Sequence, residues 1–234
     1  MNRTLLNGLA THAFKSRAEF LSYLDDQKKI LVAVNTEKLL NNDQAFRDVV
    51  NDNIGYPDGI GAVMALRRKG INTVKIPGAQ FWLDIVDRYH ANKTFFLVGS
   101  TEEVIKLTVE KLKKEYPGIK IHGYRNGYFQ KGEIEALKNV IIEKKPDIVF
   151  VAMGSPKQEF IMKDFLASHP ALYMGLGGSF DLYCGKTKPV PDWWKNTFKW
   201  EGIYRCFSDI KNISRWKRQL PALRILYLLF ANKL

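Results

Sequence analysis

Cysteine is scarce: the 234 residues include two, Cys184 and Cys206. No Cys-x-x-Cys pair and no Cys/His cluster accompanies them, which excludes a zinc ribbon and a disulfide framework and points to free thiols in a reducing compartment. Long apolar runs are also missing. A membrane span needs about 18–20 apolar residues, and the best candidate, Ile225 to Ala231, falls far short. The opening Met1-Asn2-Arg3-Thr4-Leu5-Leu6 lacks the apolar core of a secretory signal. The localisation expected from these absences is cytoplasmic. No Walker A sequence occurs, nor a full Gly-x-Gly-x-x-Gly after the first strand-like run. No Asp-x-Asp pair occurs either, so a divalent-metal mechanism is not favoured and no metal or cofactor is expected. The histidines His12, His90, His122 and His169 stand singly, without ligand spacing, and read as structural.

What is present is an ordinary globular mixture, 46% hydrophobic and 26% charged. That excludes a disordered, collagenous or coiled-coil chain. The formal net charge is +12, unevenly placed. Residues 1–184 carry 25 basic and 21 acidic side chains, whereas residues 185–234 carry 11 basic and 3 acidic. Trp193, Trp194, Trp200 and Trp216 lie in the same basic tail.

Residues 1–184 alternate short apolar runs with helical patterns. Ile30–Val34, Phe95–Val98, Ile119–His122, Ile148–Ala152 and Leu172–Met174 read as buried parallel strands. Ala62–Lys69, Thr101–Tyr116, Gly132–Lys144 and Pro156–Ser168 read as helices. Such alternation predicts an α/β fold, a Rossmann-like parallel sheet with helices on both faces. Residues 185–234 read as a basic, aromatic-rich helical appendage, with Pro221 kinking its last segment. Arginine and lysine mixed with tryptophan and leucine suit an anionic membrane surface, nucleic acid or a helix packed on the core.

Open parallel sheets bind ligands at the C-terminal ends of their strands. Three of those ends are rich in small and polar residues: Val98-Gly99-Ser100-Thr101, Ala152-Met153-Gly154-Ser155-Pro156-Lys157-Gln158-Glu159, and Gly175-Leu176-Gly177-Gly178-Ser179. Glycine lets backbone N–H groups approach a phosphate, so a nucleotide ligand is the natural inference. Each turn alone also fits helix capping, Ser100 with Glu103 and Ser155 with Gln158. Asp58, after Ile54-Gly55-Tyr56-Pro57, either caps the next helix or serves as a general base. Asn35 and Thr36 follow the first strand of the alternating core and can share its cleft.

The motifs Asn35-Thr36-Glu37-Lys38, Tyr56-Pro57-Asp58-Gly59, Val98-Gly99-Ser100, Gly127-Tyr128-Phe129, Gly154-Ser155-Pro156-Lys157-Gln158-Glu159, Gly177-Gly178-Ser179-Phe180-Asp181 and Gly185-Lys186-Thr187-Lys188 occur in this order, followed by Glu201 and Tyr204-Arg205. Together they strongly resemble the WecG/TagA/CpsF family of bacterial glycosyltransferases, over nearly the whole chain. The resemblance implies an inverting, metal-independent transfer of a sugar from a UDP-sugar donor to a lipid acceptor. The likeness runs to the branch that moves N-acetylmannosaminuronic acid to undecaprenyl-diphosphate-linked N-acetylglucosamine in enterobacterial common antigen synthesis. It implies Asp58 as general base, and the strand-end turns and motifs give Asn35, Thr36, Gly99, Ser100, Gly154, Lys157, Gln158, Glu159, Gly177 and Gly178 as the expected substrate-binding set. Arg205, Arg215, Arg218 and Arg224 are then the candidates for the diphosphate and for the inner face of the membrane, with no nucleic acid as partner. The chain departs from the usual pattern at Pro57, where family members carry Ala, and at Lys199-Trp200-Glu201-Gly202.

Overall fold

A computed structural model describes residues 2–130 and 132–188, together with Val190, Pro191, Trp194 and Tyr204. The chain opens with a hairpin, β1 (Asn2–Leu6) and β2 (Leu9–Ala13). Asn7 and Gly8 turn it with φ of +44° and +78°, the left-handed pair that a two-residue hairpin loop requires. After α1 (Arg17–Tyr23) come β3 (Ile30–Val34), α2 (Thr36–Leu39), α3 (Gln44–Asn51), β4 (Ile54–Pro57), α4 (Ile60–Arg68) and α5 (Gly78–Tyr89). The second half runs β5 (Thr94–Gly99), α6 (Glu102–Glu115), β6 (Lys120–Arg125), α7 (Glu133–Lys144), β7 (Ile148–Ala152), α8 (Lys157–Ser168), β8 (Leu172–Gly175) and α9 (Ser179–Tyr183).

Six strands form one sheet in the order β4-β3-β8-β7-β5-β6, with every neighbouring pair parallel. The expected α/β architecture is therefore present. Alternate side chains of each inner strand enter opposite layers, as the two-residue period of a strand dictates. Val32, Val98, Val151 and Tyr173 join Phe46, Leu66, Ile141 and Phe165 on one face. Leu31, Leu97, Phe150 and Met174 join Phe81, Trp82, Ile105 and Phe180 on the other. The sheet is thus buried on both sides, which is why its inner strands read as continuous apolar runs.

Right-handed crossovers tie the direction of each strand step to one face. After β3 the chain turns into α2, whose Leu39 packs in the first layer; after β8 it turns into α9, whose Phe180 packs in the second. The helices after the neighbouring strands β3 and β8 thus leave to opposite faces, as do α6 after β5 and α8 after β7, and sheets of this kind open a cleft where that happens. The region of the expected helical appendage, beyond residue 191, lies outside the described residues apart from Trp194 and Tyr204.

Candidate active site

Because all six strands run the same way, their C-terminal ends lie along one rim. In sheet order the rim presents Asp58-Gly59 after β4, Asn35-Thr36 after β3, Gly177-Gly178 after β8, Gly154-Ser155 after β7, Gly99-Ser100 at β5 and Gly127 after β6. Every strand-end motif singled out in residues 1–184 of the sequence reaches this edge.

Asp58 does not cap the helix that follows it. Gly59 is the N-cap of α4 and makes no side-chain cap bond. Instead Asp58 Oδ1 accepts a hydrogen bond from the backbone N–H of Gly78 at 2.7 Å, at the first residue of α5. Free N–H groups and the helix dipole both favour a carboxylate there. The main chain is fixed as well, since the N–H groups of Asp58 and Gly59 both donate to the Val34 carbonyl, at 3.1 and 3.4 Å. Asn35 stands beside them. Its Oδ1 caps α2 by accepting from Lys38 N at 3.0 Å, and a Cβ on Gly59 would lie 3.3 Å from its own Cβ. Only glycine at 59 allows that approach without displacement. Thr36 is half-buried at the same corner. Beneath the carboxylate lies Tyr56, fully buried, whose hydroxyl has no hydrogen-bond partner among the described residues. Burial, reinforced by the charges of Asp58 and Glu159, pushes its phenol well above the usual tyrosine value, so it stays neutral.

The glycine turns divide into two kinds. Gly99 is a close-approach residue: at φ +129°, a Cβ would sit 2.2 Å from the Ala152 carbonyl oxygen. Gly154, Gly177 and Gly178 face open space, with nothing within 4 Å of an added Cβ. These three leave room at the rim for a ligand to reach the main chain, the arrangement that suits a phosphate. Ser100 holds φ +54° and its Oγ donates to Asp181 Oδ2 at 2.9 Å, so the β5 turn is tied to α9. Its capping role falls to the next residue, Thr101, whose Oγ1 accepts from Val104 N at 3.3 Å. Pro156 is the N-cap of α8 and lends no side-chain bond, so Ser155 does not cap either.

Lys157 is exposed at the start of α8, with its ammonium 5.7 Å from the centre of the Phe129 ring. Arg125 lies 5.6 Å from the same ring and pairs with Glu133 at 3.1 Å. Gln158 and Glu159 lie below the rim, buried. Gln158 Oε1 accepts from Gly177 N at 3.0 Å, and its Nε2 donates to Glu159 Oε1 at 3.2 Å. Glu159 Oε1 also pairs with Lys38 Nζ at 2.7 Å. Burial pushes the Glu159 carboxyl up, but the Lys38 ammonium and the hydrogen bonds from Lys38 and Gln158 outweigh it and hold the group below its ordinary value.

Arg205, Arg215, Arg218 and Arg224 lie outside the described residues, as does Cys206. The four histidines each bond a backbone carbonyl: His12 to Gly55, His90 to Asp87, His122 to Lys144 and His169 to Pro146. Among the described residues no three His, Cys, Asp or Glu side chains gather to hold a metal ion, and no helix is long and apolar enough to cross a membrane. A cavity of about 370 Å³ at the opposite end of the sheet, lined by Lys28, Lys93, Asp147 and His169 among others, lies away from the rim motifs.

Sequence reasoning assigned no role to Lys38 or Asp181, although both stand inside quoted motifs. Their partners are 121 and 81 residues away in the chain, Glu159 and Ser100, and no local pattern announces such pairings. Compared with known families, the chain matches the glycosyl transferase WecG/TagA/CpsF family over residues 6–234. With that match spanning the sheet, the rim and the basic tail, the chain belongs to the WecG/TagA/CpsF family of glycosyltransferases, enzymes that move a sugar from a nucleotide-sugar donor to a glycan acceptor.

Proposed function

We propose that the protein transfers N-acetylmannosaminuronic acid from its UDP donor to undecaprenyl-diphosphate-linked N-acetylglucosamine, with inversion at the anomeric carbon and without a metal. The observation that carries this reading is a carboxylate, Asp58, held by the α5 N-terminus on the same rim as the open glycine turns. One displacement with an activated leaving group needs one base, whereas glycoside hydrolysis uses two carboxylates. In the proposed step the acceptor's 4-hydroxyl oxygen attacks C1 of the sugar. Asp58 takes the hydroxyl proton, the new C1–O bond forms, and the bond from C1 to the UDP oxygen breaks with its electron pair leaving on the diphosphate. Backbone N–H groups at Gly154 and Gly178, with Lys157 and the tail arginines Arg205, Arg215, Arg218 and Arg224, supply the charge balance that a metal supplies elsewhere. The basic tail places the enzyme peripherally on the inner face of the inner membrane, where the lipid acceptor resides.

The test is UDP release by the full chain with a lipid-diphosphate N-acetylglucosamine acceptor, offered UDP-N-acetylmannosaminuronic acid and UDP-N-acetylmannosamine in parallel, with and without EDTA. The expected outcome is EDTA-insensitive turnover that prefers the uronic acid. Preference for the neutral sugar would replace the donor assignment with a teichoic-acid-type transfer. Loss of turnover in EDTA would overturn the metal-free step.

A further inference from the structure

Glu159 lies on the buried side of the Gly154–Glu159 motif, where a ligand at the rim has no access to its carboxylate: it is fully buried, and its one charged partner, Lys38, is nearly so. An ion pair at that depth is an unusual element of a sheet otherwise covered by apolar layers, because two charges lose their hydration there and a hydrophobic pair of similar volume commonly serves stability as well. Its connections indicate another purpose. From Glu159 Oε1 one branch runs through Gln158 to the N–H of Gly177, on the open turn after β8. The other runs through Lys38 Nζ to α2, where the Lys38 N–H is held by Asn35 and Asn35 abuts Gly59 beside Asp58. These two ends follow the neighbouring strands β3 and β8, whose next helices leave to opposite faces of the sheet, the setting in which a cleft opens at the strand ends. Among the described residues, no backbone pairing holds the turns after β3 and β8 together: the β3–β8 ladder pairs Ile30 with Tyr173 and Leu31 with Met174 and extends no further toward the rim.

We infer that the Lys38–Glu159 pair is a positioning device that spans this cleft and sets the spacing between the Asp58 corner and the Gly177 turn. The inference rests on the proposed role of Asp58 as base and of the Gly177 turn as donor site. Glu159 and Lys38 are then positioning residues, and Glu159, expected from the sequence to bind substrate, acts through Gln158 and Lys38 because its carboxylate is buried. A displacement reaction depends steeply on the distance between base, nucleophile and electrophile, and a shift of about 1 Å can cost on the order of a hundredfold in rate. Losing the pair should therefore lower kcat and leave UDP affinity, which needs only the donor side, in place.

The experiment uses the full chain carrying K38M/E159M, which removes both charges at similar volume and leaves no stranded ion. Single variants are unsuitable because each buries an unpaired charge and can fail to fold. Four quantities are read: the thermal midpoint, hydrogen–deuterium exchange of peptides covering 35–40, 56–62 and 175–180, kcat, and UDP binding by calorimetry. The expected result is a near-native midpoint, faster exchange at the Asn35–Asp58 corner and at Gly177 together, a kcat lowered by about ten- to a hundredfold, and an unchanged UDP Kd. Wild-type kcat, or exchange that rises on one side of the cleft alone, would overturn the inference. A parallel fall in kcat and UDP affinity would also overturn it, by making the pair part of the donor site. If the wild-type chain itself turns over no donor, the functional reading fails, and the exchange arm still decides whether the pair couples the two sides.

Discussion

At the residue scale, the site is a set of atoms whose freedom has been removed by their neighbours. Asp58 illustrates this: its backbone is bonded to Val34, and its Oδ1 to Gly78. Residue type and position were legible in the sequence, because a carboxylate after an apolar strand and before Gly59 is conspicuous. The choice between cap and base was not legible, because the deciding N–H belongs to a helix that starts 20 residues later. Tyr56 shows the opposite case, a buried hydroxyl that no described residue satisfies. An unpaired buried hydroxyl costs about 1–3 kcal/mol, so Y56F should be at least as stable as the parent and up to about 1 kcal/mol more so. Chemical denaturation followed by circular dichroism reads this directly. Destabilisation by Y56F would show that the hydroxyl has a partner in the folded protein.

At the scale of elements, legibility followed apolar continuity. Strands buried on both faces, such as β5 and β7, stand out because every residue is apolar or small. The edge strand β6 alternates exposed and half-buried residues, so its last three residues, Gly123 to Arg125, carried no apolar signal. The helix α5 was passed over because it opens on Pro77 and Gly78 without a polar cap, although Phe81, Trp82, Ile85, Val86 and Tyr89 lie buried at helical spacing. The β1–β2 hairpin carries a strong turn signal in Asn7-Gly8, but its five-residue strands mix polar and apolar residues without a clear period. Two side chains of α3 fasten that hairpin, Arg47, whose Nη1 donates to the Asn7 carbonyl at 2.7 Å, and Asn51. Asn51 Oδ1 accepts from Ala10 N at 2.8 Å, and Asn51 Nδ2 donates to the Gly8 carbonyl at 3.1 Å. Replacing Asn51 by Ala removes both bonds and should cost about 1–2 kcal/mol. The effect should appear as a lower denaturation midpoint with faster amide exchange in residues 2–13. A midpoint equal to the parent's would mean that packing and the remaining bonds, Arg47 to the Asn7 carbonyl among them, hold the hairpin without Asn51.

At the scale of the whole molecule, charge and chemistry are segregated. The parallel sheet gathers six loop ends on one rim, and the last 50 residues hold most of the excess positive charge. A lipid-linked acceptor makes sense of that division, because the core then handles the sugar nucleotide and the tail meets an anionic surface. Each basic residue near such a surface contributes about 1 kcal/mol, so R215Q/R218Q/R224Q should weaken binding to phosphatidylserine-containing vesicles by roughly a hundredfold. Sedimentation with vesicles at low and high salt checks it, and unchanged binding would remove these arginines from the membrane account. The central claim concerns the rim, and the most direct measurement is UDP release by D58N beside wild type, with UDP binding followed by calorimetry. Loss of a general base lowers kcat by about 10²–10⁴-fold, so D58N should bind UDP as wild type does and turn over slower by that factor. Near-wild-type turnover in D58N would contradict the assignment of Asp58 as the base and the mechanism built on it.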